Sequence, residues 1–247
     1  MSKARKVTGR RKRSAADRLR PFWILLLLFL AVGILGGYYV ITWPGFRVRH
    51  IIVFGNHRVT SKEIIRRAAL NGHVNIWLQN MNGAANRIVA IPNIGQVTIQ
   101  RAFPAGVTIV VRERIPFAQI RSGSQSVVSD RDLRVLKVNG AAGLPQFVIR
   151  IALPPVGQDI KDERVVRLRD DYERLTDAHV VIVALRYDRF GDLIALTPRR
   201  VQILLGDDED LVRKVSLIGP ILSQTAGKKL AAIDLRAPGT PVVVYRR

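Results

Sequence analysis

Cysteine is absent from the 247 residues, which excludes disulfide bridges, thiolate zinc sites, iron–sulfur clusters and cysteine nucleophiles. Histidine occurs four times, never with the spacing H-x-H or H-x-x-x-H that favours a metal site. Phosphate-loop, esterase, zinc-peptidase and S-x-x-K motifs are missing as well. We therefore expect a protein that is not an enzyme, with no catalytic residue, metal, cofactor or small-molecule substrate. A serine–lysine dyad built from distant residues would be the exception.

Acidic residues are scarce, since 19 Asp and Glu stand against 40 Lys and Arg and the net charge is +21. Residues 1–20 hold nine of the basic side chains and one acid, which leaves a surplus of 13 in the rest of the chain. Such a surplus favours contact with nucleic acid, an anionic membrane face or another acidic polymer. The 48% share of hydrophobic residues nevertheless excludes disorder of the whole chain.

Charge is missing altogether from Phe22 to Trp43, and this stretch predicts a transmembrane helix at 21–43. Its 22 residues would form about 33 Å of helix, enough to cross a hydrocarbon core of about 30 Å. A cleaved signal peptide ending at Ala31-Val32-Gly33 is the alternative, but ten more uncharged residues follow that site. We therefore prefer the uncleaved anchor.

The basic tail at 1–20 precedes this helix, and only two arginines follow the helix closely. The positive-inside rule then places the amino terminus in the cytoplasm and the chain after about Gly45 outside it. We interpret the tail as topogenic charge on lipid headgroups rather than as a nucleic-acid site. Gly33 and Gly37 form a G-x-x-x-G pair that would let a second membrane helix pack closely.

Residues 46–114 show the order strand, helix, helix, strand, strand, which predicts two helices on one face of a small three-stranded sheet. The first helix begins at the capping box Thr60-Ser61-Lys62-Glu63 and is expected to stop at Asn71-Gly72. The other expected elements are the strand Phe46–Phe54, a helix at Asn82–Ala90, and a hairpin of Ile94–Ala102 and Val107–Arg114.

A proline- and arginine-marked string, IPNIGQVTIQRAFPAGVTIVVRERIPFA, lies at 91–118. Its distinctive positions are Pro92, Arg101, Phe103, Pro104, Glu113, Arg114, Pro116 and Ala118. The string resembles the signature at the end of the POTRA domain in the FtsQ/DivIB family of cell-division proteins. We interpret these residues as mostly structural, with Glu113 and Arg114 in salt bridges rather than in contact with a partner.

Residues 115–247 predict a β-rich domain in which turns separate short strands and two helices occur. The helices are expected at about 162–175 and 208–224, and we interpret the acidic run Asp207–Asp210 as capping the second helix rather than binding a metal. Leu133 stands where the family has glycine, which indicates a different turn, and Ala237 stands where it has an aromatic residue. The expected strands are Phe117–Arg121, Val127–Ser129, Leu133–Val138, Phe147–Ile151, Val180–Tyr187, Leu193–Leu196, Val201–Leu205, Ala231–Leu235 and Val242–Tyr245.

The fold class is therefore α+β, with one transmembrane helix, a βααββ POTRA-like domain at 46–114 and a β-rich mixed-sheet domain at 115–247. The resemblance implies a non-enzymatic scaffold of the cytoplasmic membrane and division septum. It would link early division proteins to septal wall synthesis by binding bitopic partners like FtsB and FtsL. A membrane-tethered protein that binds nucleic acid or an anionic polymer is the alternative.

In the family the last strand and the helix before it receive FtsB. A terminal strand at a sheet edge would present unpaired donors and acceptors to such a partner. An inner strand with a solvated Arg236 is the other interpretation. The docking edge is expected at Asp234, Leu235, Arg236, Val242, Val243, Val244 and Tyr245, with Arg236 pairing an acidic partner residue.

Overall fold

A computed structural model describes residues 15–138, 140–207 and 209–246. The tail expected at 1–20 lies outside the described residues up to position 14. The first helix, α1, spans Ala15–Thr42 and contains the apolar segment Pro21–Thr42, which is 22 residues long and unburied. By length and composition this segment is able to cross a membrane, in agreement with the expected transmembrane helix.

Two compact units divide the described chain. The first holds α1 with the residues up to Ile52, together with Leu70–Asn80 and Gln100–Thr108. The second holds Val53–Ala69, Met81–Ile99 and the chain from Ile109 onward. The domain boundaries expected from the sequence stay predictions.

A three-stranded sheet and two helices follow α1 in the predicted order βααββ. Thr60 caps the first of these helices, because its hydroxyl accepts from the backbone N–H of Glu63 at 3.3 Å. The helix ends at Ala68, before the expected stop, because Ala69 takes a left-handed conformation with φ 47°. The elements are β1 (His50–Phe54), α2 (Ser61–Ala68), α3 (Met81–Val89), β2 (Ile94–Ala102) and β3 (Gly106–Glu113), with sheet order β1-β3-β2.

A nine-stranded mixed sheet occupies the rest of the described chain, with order β12-β11-β10-β9-β8-β7-β4-β5-β6. Its strands are β4 (Ala118–Ser122), β5 (Gln125–Ser129), β6 (Val135–Leu136), β7 (Gln146–Val148), β8 (Ala184–Tyr187), β9 (Leu193–Leu196), β10 (Gln202–Gly206), β11 (Leu230–Asp234) and β12 (Val242–Tyr245). The helices are α4 (Glu163–Asp177) and α5 (Leu211–Gln224). Pairs β4/β7, β7/β8 and β10/β11 are parallel and the others antiparallel. The predicted α+β class is confirmed.

One apolar core joins this sheet to its helices, because both α4 and α5 bury a stripe of aliphatic side chains. Phe147 of β7 and Leu185 of β8 are fully buried beside Leu168 of α4. Ile203 and Ile233 extend the same core under the far strands. Burial of each such side chain contributes about 1.5–3 kcal/mol relative to exposure.

Several strands are shorter than the sequence predicted. The strand expected at 46–54 begins only at His50, because residues Pro44–Phe46 form a 3₁₀ turn. The strand expected at 180–187 begins at Ala184, because Val180 still donates its N–H to the Leu175 carbonyl at the end of α4.

The expected strand at 133–138 contracts to the two residues of β6, and Leu133 lies in the turn before it. Leu133 has φ 64°, the left-handed conformation that glycine adopts most easily, and its N–H donates to the Asp130 carbonyl at 3.0 Å. Leu133 is buried in the core. Packing of the leucine offsets a strain of about 1–2 kcal/mol, and the expectation that this turn differs from the one in the family stays a prediction.

The acidic run Asp207–Asp210 does not cap α5 as predicted. Asp210 precedes the helix in a left-handed conformation, and its side chain makes no capping hydrogen bond. Asp207 instead accepts from the ammonium group of Lys214, through its carboxylate at 2.9 Å and its carbonyl at 3.1 Å. The buried amine requires these oxygens because an unpaired charge inside the core costs several kcal/mol. Asp208 lies outside the described residues.

Candidate protein-docking edge

Strand β12 is the outermost strand of the nine-stranded sheet and pairs only with β11 among the described residues. The pairing is antiparallel, with Val243 opposite Ile233 and Val242 opposite Asp234. An outermost strand presents one row of backbone N–H and C=O groups to its surroundings. The last predicted strand thus lies at an edge rather than inside the sheet.

The direction of the backbone groups on β12 follows from one contact. Arg246 donates its backbone N–H to the Lys229 carbonyl at 2.8 Å, toward the β11 side. Because hydrogen-bonding direction alternates along an antiparallel strand, Val244 and Val242 share the direction of Arg246. Val243 and Tyr245 then direct their N–H and C=O groups outward.

The side chains of this edge are apolar and largely accessible. Val242, Val244 and Tyr245 are 55%, 46% and 46% exposed, and Val243 packs partly against the core. The ammonium group of Lys228 lies 5.5 Å from the centre of the Tyr245 ring. An exposed strand without a charge of its own is open to pairing with another segment, because charged residues are what usually prevent it.

Asp234 and Arg236 form a closed ion pair beside the edge. The carboxylate accepts from Nε of Arg236 at 3.0 Å and from Nη2 at 2.6 Å. The hydrogen bond from Arg236 holds the pKa of Asp234 below its usual value, and the same contact raises the pKa of Arg236. Leu235 between them is buried, so it supports the edge from the core side.

Gly206 lets Arg236 come close to the end of β10. Its φ is 74°, and a Cβ added there would lie 3.1 Å from Cγ of Arg236. A side chain at this position would displace Arg236 and would also be strained by the left-handed backbone.

The predicted signature residues divide between the two units. In the first unit Arg101 donates from Nε to the Ile76 carbonyl at 2.9 Å and from Nη2 to the Gln79 carbonyl at 3.3 Å. Phe103 is exposed, but its ring centre lies 5.7 Å from that of Phe46 in a tilted arrangement, and Pro104 follows it in the turn between β2 and β3. These residues support loops, and their interpretation as mostly structural stays a prediction.

Glu113 meets backbone N–H groups, and no salt bridge to it is found within the part of the chain that the structure describes. Its carboxylate accepts the backbone N–H groups of His57, Arg58 and Val59 at 2.8–2.9 Å. Desolvation would raise the pKa of Glu113, but these backbone donors outweigh it, so the pKa lies below its usual value. A run of unpaired N–H groups after β1 attracts the carboxylate, and Glu113 thereby closes the turn.

Arg114 does form the predicted ion pair. Its Nη1 donates to Oδ2 of Asp130 at 2.5 Å, and its backbone N–H donates to the Asn93 carbonyl at 2.7 Å. Pro116 follows between β3 and β4, and Pro92 packs near Gly157. All of these residues belong to the second unit.

Gly33 and Gly37 lie on α1 with open space beside them, because a Cβ added at either position meets nothing within 4 Å. This surface is available to a second helix, and the packing role stays a prediction. Among the described residues, no group of three or more histidine or acidic side chains is placed to hold a metal ion.

Three buried polar residues could not be recognised from the sequence. Asn75 donates to the Val40 and Ile41 carbonyls at 3.3 and 3.0 Å, which satisfies the last turn of α1. Asn93 pairs both with the N–H and with the carbonyl of Lys137 at 2.8 Å. Lys214, described above, is the third. A polar residue among apolar neighbours gives no local pattern that distinguishes burial from exposure.

Comparison with known proteins agrees with this architecture. The family model described as "POTRA domain, FtsQ-type" matches residues 46–114. The cell division protein DivIB of Clostridium tetani is 25% identical over 216 residues, covering 82% of this chain and 81% of its own length. DivIB of Clostridium acetobutylicum is 23% identical over 217 residues, covering 81% and 83%. The cell division protein FtsQ of Rhizobium meliloti is 24% identical over 224 residues, covering 83% and 67%.

These findings define the class of protein. An apolar helix able to cross a membrane is followed by a segment that matches the FtsQ-type POTRA domain and then by a mixed sheet. Segment 46–114 is similar to FtsQ-type POTRA domains, and about four fifths of the chain is similar to the cell-division proteins DivIB and FtsQ.

Proposed function

We propose that this protein is a non-enzymatic scaffold that binds FtsB-like and FtsL-like bitopic partners and links early division proteins to septal wall synthesis. The exposed apolar edge of β12 is the observation that carries the proposal. A partner segment adds to it as a further strand, with the main chain supplying affinity and the side chains supplying specificity.

The partner strand takes its hydrogen bonds from the outward groups of Val243 and Tyr245. Val242, Val244 and Tyr245 provide the accessible apolar surface. Asp234 uses Nε and Nη2 of Arg236, which leaves Nη1 to pair an acidic residue of the partner. Leu235 is buried in the core and holds the end of β11 in place, so it supports the edge without contacting the partner.

Val243→Pro tests this edge with little effect on the fold. Proline removes the outward N–H of residue 243, whereas the inward ladder to β11 uses residues 242 and 244. Capture of the FtsB-like protein of the same organism by the full chain in detergent should weaken at least tenfold. Val243→Ala is the matched control, because it keeps the N–H and should bind within about threefold of the parent protein. Equal capture by Val243→Pro and the parent protein would remove the proposal.

Location and orientation are part of the same proposal. The amino terminus lies in the cytoplasm, the body lies outside it, and the protein gathers at the division septum. Reporter fusions at each end give the orientation, and a fluorescent fusion in dividing cells should form a ring at midcell. Diffuse membrane fluorescence through the whole cell cycle would contradict a septal role.

The alternative function, binding of nucleic acid by the basic tail, predicts a different result. Salt-dependent retention of DNA by residues 1–20 would favour it, because phosphate contacts release counterions. Recruitment to midcell without the tail would favour the scaffold.

A further inference from the structure

Five arginines line one cleft of about 1000 Å³ in the second unit, at the carboxyl ends of parallel strands. Strands β4, β7 and β8 are parallel neighbours, so the segments that leave them meet at one edge of the sheet. Crevices at such edges are frequent binding sites in open sheets with parallel strands. The lining arginines are Arg150, Arg164, Arg167, Arg186 and Arg189.

The backbone around the cleft is held in place. The hydroxyl of Ser122, at the end of β4, donates to the Ile151 carbonyl at 2.6 Å and accepts the Ile151 N–H at 3.1 Å. The turn after β8 closes on Asp188, whose carboxylate accepts the N–H groups of Phe190 at 2.7 Å and Asp192 at 3.0 Å. Arg150 and Arg189 therefore project from segments fixed by hydrogen bonds.

Acidic side chains near the cleft do not balance the arginines. Asp188 is the one carboxylate in the described lining, and its oxygen is engaged by the turn. Arg164 pairs with Asp162 at 2.8 Å. Arg150, Arg167 and Arg186 form no hydrogen bond or ion pair with a carboxylate among the described residues. Five arginines thus stand against the two carboxylates of Asp188 and Asp162. The cleft therefore has a positive electrostatic potential, which its concave shape strengthens.

Arginine is the residue type that suits phosphate in such a place. Its planar guanidinium donates two parallel hydrogen bonds to phosphate oxygens and does not lose its charge. The net charge of about +3 that remains in the cleft suits the multiple negative charges of a phosphate ester or diphosphate better than the single charge of a carboxylate. Arg189 is already oriented, since its guanidinium lies 4.6 Å from the centre of the Phe190 ring.

We propose that this arginine cleft binds a phosphate-bearing ligand, supplied either as a soluble phosphate compound or as the phosphate headgroup of a lipid. The cleft shares no residue with the docking edge at β12, although Asp188 of the cleft interacts electrostatically with Arg236. Substitutions at Arg150, Arg167 and Arg186 leave both of these residues in place, so the two sites can be tested separately. Loss of one function is expected to leave the other in place.

The test uses the full chain in neutral detergent and inorganic pyrophosphate as the probe, measured by isothermal titration calorimetry at low salt. The variant Arg150→Gln/Arg167→Gln/Arg186→Gln should bind pyrophosphate at least tenfold more weakly. Higher salt should weaken binding by the parent protein as well. If the triple variant misfolds, Arg186→Gln alone should still lower the affinity at least threefold.

A control variant that loses the same three positive charges elsewhere distinguishes binding in the cleft from nonspecific attraction of pyrophosphate to a basic protein. Arg66→Gln/Arg112→Gln/Arg199→Gln removes three exposed arginines elsewhere and should bind pyrophosphate within about twofold of the parent protein. Competition by phosphatidylglycerol in mixed micelles would identify a lipid headgroup as the source, and its absence would identify a soluble phosphate compound. The proposal is overturned by no binding of pyrophosphate, by equal loss in the control variant, or by equally tight binding of polyglutamate.

Discussion

Replacement of Arg114 by methionine should destabilise the second unit, because it leaves a buried carboxylate without its partner. Asp130 has a side chain that is only 7% exposed, and its Oδ2 accepts from Nη1 of Arg114. The other oxygen accepts the N–H of Arg134 at 2.8 Å and is not affected. Removal of one member of a buried pair costs about 3–5 kcal/mol. Arg114 is 20% exposed, so solvent reaches the pair and we expect about 2–3 kcal/mol.

Thermal unfolding of the full chain in detergent, followed by circular dichroism, measures this effect. A loss of about 2–3 kcal/mol in a chain of this size lowers Tm by roughly 4–12 °C. Asp132→Ala is the matched control, because Asp132 is 85% exposed and its oxygen lies 3.6 Å from the same Nη1. That variant should change stability by less than about 0.5 kcal/mol.

A double-mutant cycle separates the ion pair from the loss of arginine packing. Asp130→Asn keeps the oxygen that accepts from Arg134 and removes the charge that Arg114 meets. The combined Arg114→Met/Asp130→Asn variant should be more stable than additivity predicts, by about 1–2 kcal/mol. A coupling below about 0.5 kcal/mol, or an Arg114→Met variant as stable as Asp132→Ala, would refute the reasoning.

Three further predictions concern buried or strained groups. The pKa of Glu113 is lower in the folded protein than in the unfolded chain. The ionised carboxylate therefore stabilises the fold fully above the unfolded pKa of about 4.3, and this stabilisation is lost as the pH falls through the folded-state pKa. Glu113→Gln should therefore lower Tm at pH 7 and flatten the acid limb of a Tm–pH curve, and a limb identical to that of the parent protein would contradict the assignment. At Leu133, with φ 64°, Leu133→Ala should be less stable than Leu133→Gly by about 1 kcal/mol in urea unfolding, the reverse of the usual order. Asp207→Ala should lower the Tm of the full chain because Lys214 stays buried, whereas Lys214→Met should leave Tm nearly unchanged, and equal losses in thermal unfolding would show that the amine does not need the carboxylate.

Local pattern was enough to predict the order of the elements. An uncharged stretch of 22 residues requires a membrane or a core, and the βααββ order follows from periodicity and turn residues. The bounds of β2, β9 and β12 matched their alternation, and Thr60 capped α2 as its spacing indicated. These features depend on residues a few positions apart, so the sequence displays them directly.

Contacts between distant residues could not be predicted in this way. Glu113 lies 54–56 positions from the N–H groups that it accepts, and nothing near it in sequence shows that they are unpaired. Even the close pair of Asp234 and Arg236, two positions apart, was missed: Arg236 was expected to be available to a partner, but Asp234 occupies its Nε and Nη2. For both Glu113 and Arg236 the sequence identifies a charged side chain. The conformation of the backbone determines which group that side chain contacts.

The sequence by itself determined the apolar first helix, the element order and an apolar strand at 242–245, because each rests on hydrophobic spacing along the chain. The tertiary structure alone decided that this strand is outermost and that arginines 150 and 186 face one cleft. Strand order joins residues that are 38 positions apart, such as Phe147 and Leu185 in the parallel pair β7/β8. The free energy that selects such pairings comes from burying whole faces of a sheet, and no single segment of sequence contains it.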